Sequence, residues 1–91
     1  MRALFSLGQT VATPGALCAL GDAGVSWVSL IRRHQSGDWG TIDAEDRREN
    51  NLALKHGYRL MSVYAIGNDC KVWVITEADR SATTLLLPEE Y

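Results

Sequence analysis

The chain has 91 residues, 46% of them hydrophobic, which leaves room for one domain around a modest core and no room for two. Nine basic residues against eleven acidic ones give a formal net charge of −2, which argues against a broad, non-specific nucleic-acid binder, because counterion release needs a basic stripe. Two cysteines, Cys18 and Cys70, have neither C-x-x-C spacing nor a histidine at ligand spacing; they argue against a disulfide scaffold and read as small, reduced core residues.

Residues 2–12 read as a strand in which Ala3, Phe5 and Leu7 alternate with Arg2, Leu4 and Ser6, and Gly8 marks a bulge or tight bend. The same N-terminus has one positive charge and a short apolar run, which is not the layout of a signal peptide. No apolar run approaches the ~20 residues of a membrane helix, so a soluble cytoplasmic protein is expected. Thr13 then caps a helix with Pro14 at its first position; Leu17 and Leu20 form its apolar stripe, and Gly21 or Gly24 ends it. Ser26 caps a second helix whose face is Trp27, Leu30, Ile31 and His34. The turn-rich connector 36–40, SGDWG, leads to a third helix that Asp43 caps, with Asp46 placed as the capping-box acid. That helix is mostly polar, with only Ala44, Leu52, Ala53 and Leu54 able to pack, and Gly57 stops it. Strands follow at 58–66, 70–77 and 82–87, joined by a tight turn at 67–69 and by the turn ADRS; Pro88 ends the last one. The pattern predicts an α+β fold over a single domain, 1–91: an N-terminal strand, two to three short helices, then a three-stranded antiparallel meander, with the helices packed on one face of the sheet.

Few residues carry an expectation of chemistry. Glu77, Asp79, Arg80 and Ser81 lie in a hairpin turn that Asp and Ser shape through their own backbone, with Glu77 and Arg80 able to pair across it. Held on a rigid sheet, that turn can also present charges to a partner. His34 reads as a partly buried helix histidine, and its neighbours Ser36 and Asp38 do not make a triad by sequence proximity. Trp39 either folds back over the core or anchors an interface. Tyr58, Tyr64 and Trp73 read as a cross-strand aromatic cluster, with a base-stacking platform beside Arg59 and Lys71 as the weaker reading. No P-loop, dinucleotide-binding fingerprint or H-E-x-x-H is present, so no cofactor, metal or catalytic residue is expected.

Three stretches together, GQTVATPGAL (8–17), RHQSGDWG (33–40) and VWVITEADRSATTLLLPEEY (72–91), resemble a family of small bacterial proteins carried by plasmids, integrated elements and phages, whose members have no settled function. Some relatives bear the label of a type I restriction-modification methylation subunit. This chain has no N-P-P-[YF] or G-x-G motif and too few residues for a methyltransferase domain, so that activity does not carry over.

The resemblance implies a mobile-element setting. The reading is a small non-enzymatic protein acting through protein–protein interaction, of the kind that inhibits host defence in the anti-CRISPR or anti-restriction manner. Its partner contacts are expected at Trp39, Glu77, Asp79, Arg80, Glu89 and Glu90, with Glu45, Asp46 and Glu49 as further acids. Acidic surfaces suit a basic nucleic-acid groove by charge complementarity. The alternative is a RelE/ParE-like toxin with ribonuclease activity, which would use Arg59, Lys71 and Arg80 with Tyr64 or Tyr91. Self-association into a homo-oligomer is a third arrangement.

Overall fold

Each helix begins where a side chain can take up an orphan backbone N–H. Ala16 N donates to Thr13 Oγ1 at 3.0 Å, Val28 N to Ser26 Oγ at 3.2 Å and Asp46 N to Asp43 Oδ1 at 2.8 Å. Gly24 and Gly57 end the first and third helices at φ of +68° and +76°. The computed structural model describes residues 3–67 and 69–91. Its elements are β1 (Gln9–Ala12), α1 (Pro14–Ala23), α2 (Trp27–Gln35), α3 (Ala44–His56), β2 (Leu60–Gly67), β3 (Cys70–Thr76), β4 (Ala82–Leu86) and a closing 3-10 turn, Pro88–Glu90.

The class is α+β, with a mixed sheet in the order β1-β4-β3-β2. β2, β3 and β4 form the antiparallel meander, and β1 adds to β4 in parallel. Alternation sends Leu60, Ser62 and Tyr64 of β2, Val72, Val74 and Thr76 of β3, and Thr83 and Leu85 of β4 to one buried face. Ala16 and Leu20 of α1 and Leu30 and Ile31 of α2 pack there, each large side chain contributing about 1.5–3 kcal/mol by leaving water. A second cluster joins Trp39, Ile42, Ala53 and Leu60, with Phe5 and Leu54 against it. No single helix among the described residues is long and apolar enough to cross a membrane.

The strand expected over 2–12 is only four residues long. Met1 and Arg2 lie outside the described residues. Residues 3–7 form no strand: the chain bends at Phe5, Phe5 and Leu7 are half-buried, Leu4 N donates to Gln35 O at 2.8 Å, Gln35 Nε2 to Phe5 O at 2.8 Å, and Leu7 O accepts from Thr83 of β4. Gly8, at φ +64°, then bends the chain tightly against the β3–β4 turn, where a Cβ would run into the backbone of Arg80 and Ser81.

Three further expectations are corrected. Tyr64 sits opposite Val72, and Trp73 sits opposite Val63, so the two rings are on different faces and no Tyr58–Tyr64–Trp73 cluster forms. Cys18 is exposed, because α1 buries the Ala16–Leu20 line and turns Cys18 outward; Cys70 is half-buried, and both thiols are free. Asn50, in the helix expected to be polar and outside, is buried.

Asn50 closes the free edge of β2 as a strand would. Its Nδ2 donates to Met61 O at 2.7 Å, and its Oδ1 accepts from Met61 N at 3.1 Å. Just beyond, Val63 N donates to Trp39 O at 3.1 Å and Thr41 N to Val63 O at 2.7 Å. Gly40 lets this segment approach: at φ +78°, a Cβ would sit inside the Val63 carbonyl. Gly40→Ala is therefore expected to cost more than about 2 kcal/mol, seen as a lower urea midpoint. Gly21→Ala, in a helical position with open space around it, should instead gain about 0.5–1 kcal/mol.

Candidate functional site

The residue types that could do chemistry converge in the interior. His34 Nδ1 lies 2.6 Å from Ser62 Oγ, and Nε2 lies 2.9 Å from Thr76 Oγ1. Thr76 Oγ1 is 2.7 Å from Thr83 Oγ1, which donates to Leu7 O at 2.8 Å. That last bond orders the rest. With its proton committed to a carbonyl, Thr83 must accept from Thr76, so Thr76 must accept from His34 Nε2–H. Nδ1 is then the lone-pair nitrogen and takes the Ser62 proton. All four side chains have 0% exposure, and the rings of Phe5 and Trp39 meet the imidazole edge-on at 5.2 and 5.7 Å.

Burial, aided by the nearby positive charge of Arg80, lowers the His34 pKa to about 4. A hydroxyl paired with a neutral imidazole has the makings of a nucleophile, but a nucleophile must reach a substrate. Here both imidazole nitrogens are taken by the fold itself, and neither His34 nor Ser62 has any exposure. His34 is thus a clamp joining α2 to the sheet and to the N-terminal segment.

The SGDWG connector is fixed from the same region. Tyr64 Oη donates to Asp38 O at 2.6 Å, and burial raises its pKa to about 12. Arg33 lies 4.5 Å over the Tyr64 ring and pairs with Asp38 at 2.7 Å, the only ion pair among the described residues. Their hydrogen bond holds the Asp38 carboxyl below its usual range and the Arg33 guanidinium above its own. This aims Trp39 inward at 3% exposure, so its ring covers the core and offers almost nothing to a partner.

Arg80 also differs from its expected placement. It sits at φ +61°, and its guanidinium turns back to bond four carbonyls: Tyr58 O at 2.7 Å, Glu77 O at 3.1 Å, Ala78 O at 3.2 Å and Ala53 O at 3.2 Å. It bonds the backbone of Glu77, and no Glu77–Arg80 ion pair forms among the described residues. Arg80 thereby staples the β3–β4 turn to the end of α3. Glu77 and Asp79 remain outside; Ser81 hydrogen-bonds the Asp79 carboxylate and lowers its pKa.

The stapled corner borders a groove between α3 and β2. Two adjoining hollows of about 220 and 310 Å³ share Glu49 and Arg59, with Asp46 and Met61 at one end and Leu52 and Tyr58 at the other. Arg59 donates to Tyr91 Oη and lies 5.3 Å over its ring, and Tyr91 packs edge-on against Trp73 at 5.3 Å. Arg47, Arg48 and Lys55 are exposed elsewhere on α3. Glu89 and Glu90 are remote from this corner in role. Glu89 borders a hollow with Asp69 and Lys71, while Glu90 accepts from Thr13 Oγ1 at 2.6 Å and Leu87 N at 2.8 Å, and the Thr13 bond lowers its pKa.

The set Arg59, Lys71, Arg80 with Tyr64 or Tyr91 is only partly gathered. Arg59 meets Tyr91 on the outer face of the sheet, but Tyr64 is on the inner face and Arg80 is occupied by backbone carbonyls. No group of three or more His, Cys, Asp or Glu side chains that could hold a metal occurs among the described residues. Compared with known proteins, the chain matches no family model, no curated protein and no solved structure.

Two outcomes follow from this geometry. His34 is neutral in the fold and protonates from its ordinary value of 6.5 once unfolded. Its contribution is intact above that pH and is lost as pH falls toward 4, by roughly 3 kcal/mol in all. Urea unfolding of His34→Gln should show lower stability at pH 7 but lack that segment of acid slope; equal slopes would remove His34 as the cause. Arg80→Lys should destabilise by about 1.5–3 kcal/mol in thermal unfolding, since one ammonium cannot replace a fork that serves four carbonyls.

Proposed function

We propose that this is a small non-enzymatic binding protein that engages a protein with a basic surface through the corner where α3 meets the β3–β4 turn. The observation that carries this reading is the Arg80 staple. By holding the turn onto the carbonyls of Ala53 and Tyr58, it sets Glu77 and Asp79 beside the groove of Asp46, Glu49, Leu52, Tyr58 and Arg59 on one rigid support. Acids around an exposed tyrosine and leucine combine electrostatic steering with an apolar anchor. The sealing of His34 and Ser62 from solvent supports a protein that does no chemistry on a substrate.

The mobile-element reading rests on the resemblance of the three stretches quoted above. In that setting the partner is a basic nucleic-acid groove of a host defence complex, and the protein is its inhibitor. The ribonuclease-toxin reading has one observation in its favour, the contact of Arg59 with Tyr91.

The test is an affinity capture from the native host with the wild type and with Glu49→Lys/Glu77→Lys. A stoichiometric basic partner should be retained by the wild type, weaken as salt rises, and be lost by the charge-reversed protein at an unchanged melting temperature. Retention by both proteins would refute the acidic corner. Growth arrest on expression, relieved by Tyr91→Phe, would move the function to the ribonuclease.

A further inference from the structure

The two edges of the sheet are treated differently. The β2 edge is closed by the Asn50 side chain and by residues 39–41. β1 is the other edge, and β4 is its only strand neighbour among the described residues. Gln9 N donates to Ser81 O at 3.0 Å and Thr13 N to Leu85 O at 3.0 Å, so odd-numbered residues of β1 face β4. The alternation of a parallel ladder then points the N–H and C=O groups of Thr10 and Ala12 away from the sheet. An edge of this kind is a template for another strand.

Apolar side chains surround it. Val11, Leu17 and Trp27 are 40%, 48% and 44% exposed. A groove of about 250 Å³ runs beneath them, lined by Thr10, Val11, Ala12, Leu17, Trp27 and Leu85. Charge is almost absent: between residues 3 and 31 the only charged side chain is Asp22. The lysines, bulges and inward charges that usually protect an edge are missing from β1 itself.

That neutrality selects the occupant. About a two-fold axis, every side chain of the strip meets the same strip on the other copy, so any charge there would face its like. A basic partner suited to the acidic corner would gain nothing from this edge. We propose that two copies of this chain join here, β1 against β1 in antiparallel register, with the two-fold axis at Val11. In that register Thr10 of one copy lies opposite Ala12 of the other, and both residues exchange their outward backbone bonds. Val11 meets Val11, and the Leu17 and Trp27 side chains close over the junction. The Glu90 carboxylates, tied to Thr13 just past each strand, fall at opposite ends. The acidic corner spans α3 and the β3–β4 turn, beyond the Gln9 end of β1, and none of its acids lines the groove at Val11, so this proposal does not rest on that function.

Sedimentation equilibrium decides it. At about 1 mM the wild type should weigh twice its 10.0 kDa chain and dissociate on dilution. Val11→Lys and Val11→Glu should each remain at 10.0 kDa, and an equimolar mixture should recover the dimer, since opposite charges then face each other. A wild type that stays monomeric would overturn the proposal and leave the edge to a foreign strand. So would a Val11→Lys protein that still dimerises, or a species that grows beyond the dimer. Amide exchange in the wild type provides a check that needs no variant: the Thr10 and Ala12 amides should slow as concentration rises, and unchanged rates would also overturn it.

Discussion

One carbonyl, that of Leu7, sets the polarity of the interior. Because Thr83 donates to it, each later hydroxyl and the imidazole have a single remaining role, and the order runs Ser62 to His34 to Thr76 to Thr83 to Leu7. The chain touches β2, α2, β3, β4 and the segment before β1, so it joins every element except β1, α1, α3 and the closing turn. Each member left unsatisfied would cost about 1–3 kcal/mol, a large share of what a domain this small has available. A polar core of this kind punishes misplacement more than an apolar one does. It therefore fixes the register between α2 and the meander, where Leu and Val packing alone would tolerate sliding.

The same logic of satisfied backbone explains α3. Its sequence is too polar to be held by burial, and Ala53 is its main apolar contact with the core. Instead it is held by bonds to main chain at its middle and its end. Asn50 reads the Met61 peptide on both sides, and Arg80 reaches its Ala53 carbonyl from the next layer of the fold. A helix attached in this way leaves its remaining length to solvent, which is where the acids are.

The helix starts, the three meander strands and the inward faces of β2 and β3 were legible because caps, turn residues and alternation act locally. Gly24 and Gly57 were readable as stops for the same reason. The interior network was only half legible. His34 showed itself at the end of an apolar stripe, and Ser62, Thr76 and Thr83 hold inward positions in their strands, but nothing local says that these four meet. The Tyr64–Trp73 pairing was misread because facing depends on register, and a shift of one residue exchanges the faces. Residues 3–7 have the alternation of a strand without being one, since the same half-buried pattern suits any segment laid over a helix. Asn50 and Arg80 were misjudged for a shared reason: a polar side chain that satisfies distant backbone has the sequence signature of one in water.

Arg80 bears directly on how the terminal charged turn should be read. An arginine at positive φ is strained by about 1 kcal/mol where glycine would be comfortable, and the next tight bend in space, Gly8, does use glycine. The strain is offset by four carbonyl bonds that glycine could not make. The turn is thus shaped for the fold at Arg80 and turns Glu77 and Asp79 outward, with structural and exposed charges inside four consecutive residues. That arrangement matches the whole molecule, in which hydroxyls, imidazole and one guanidinium serve the fold within, while the acids outside are free of structural duty except Asp43 as a helix cap, Asp38 in the connector, Asp79 in a local turn, and Glu90, which joins Thr13 to the closing turn. A surface with an acidic corner reaching from α3 to the β3–β4 turn and an uncharged strip around Val11 is suited to two different partners at once.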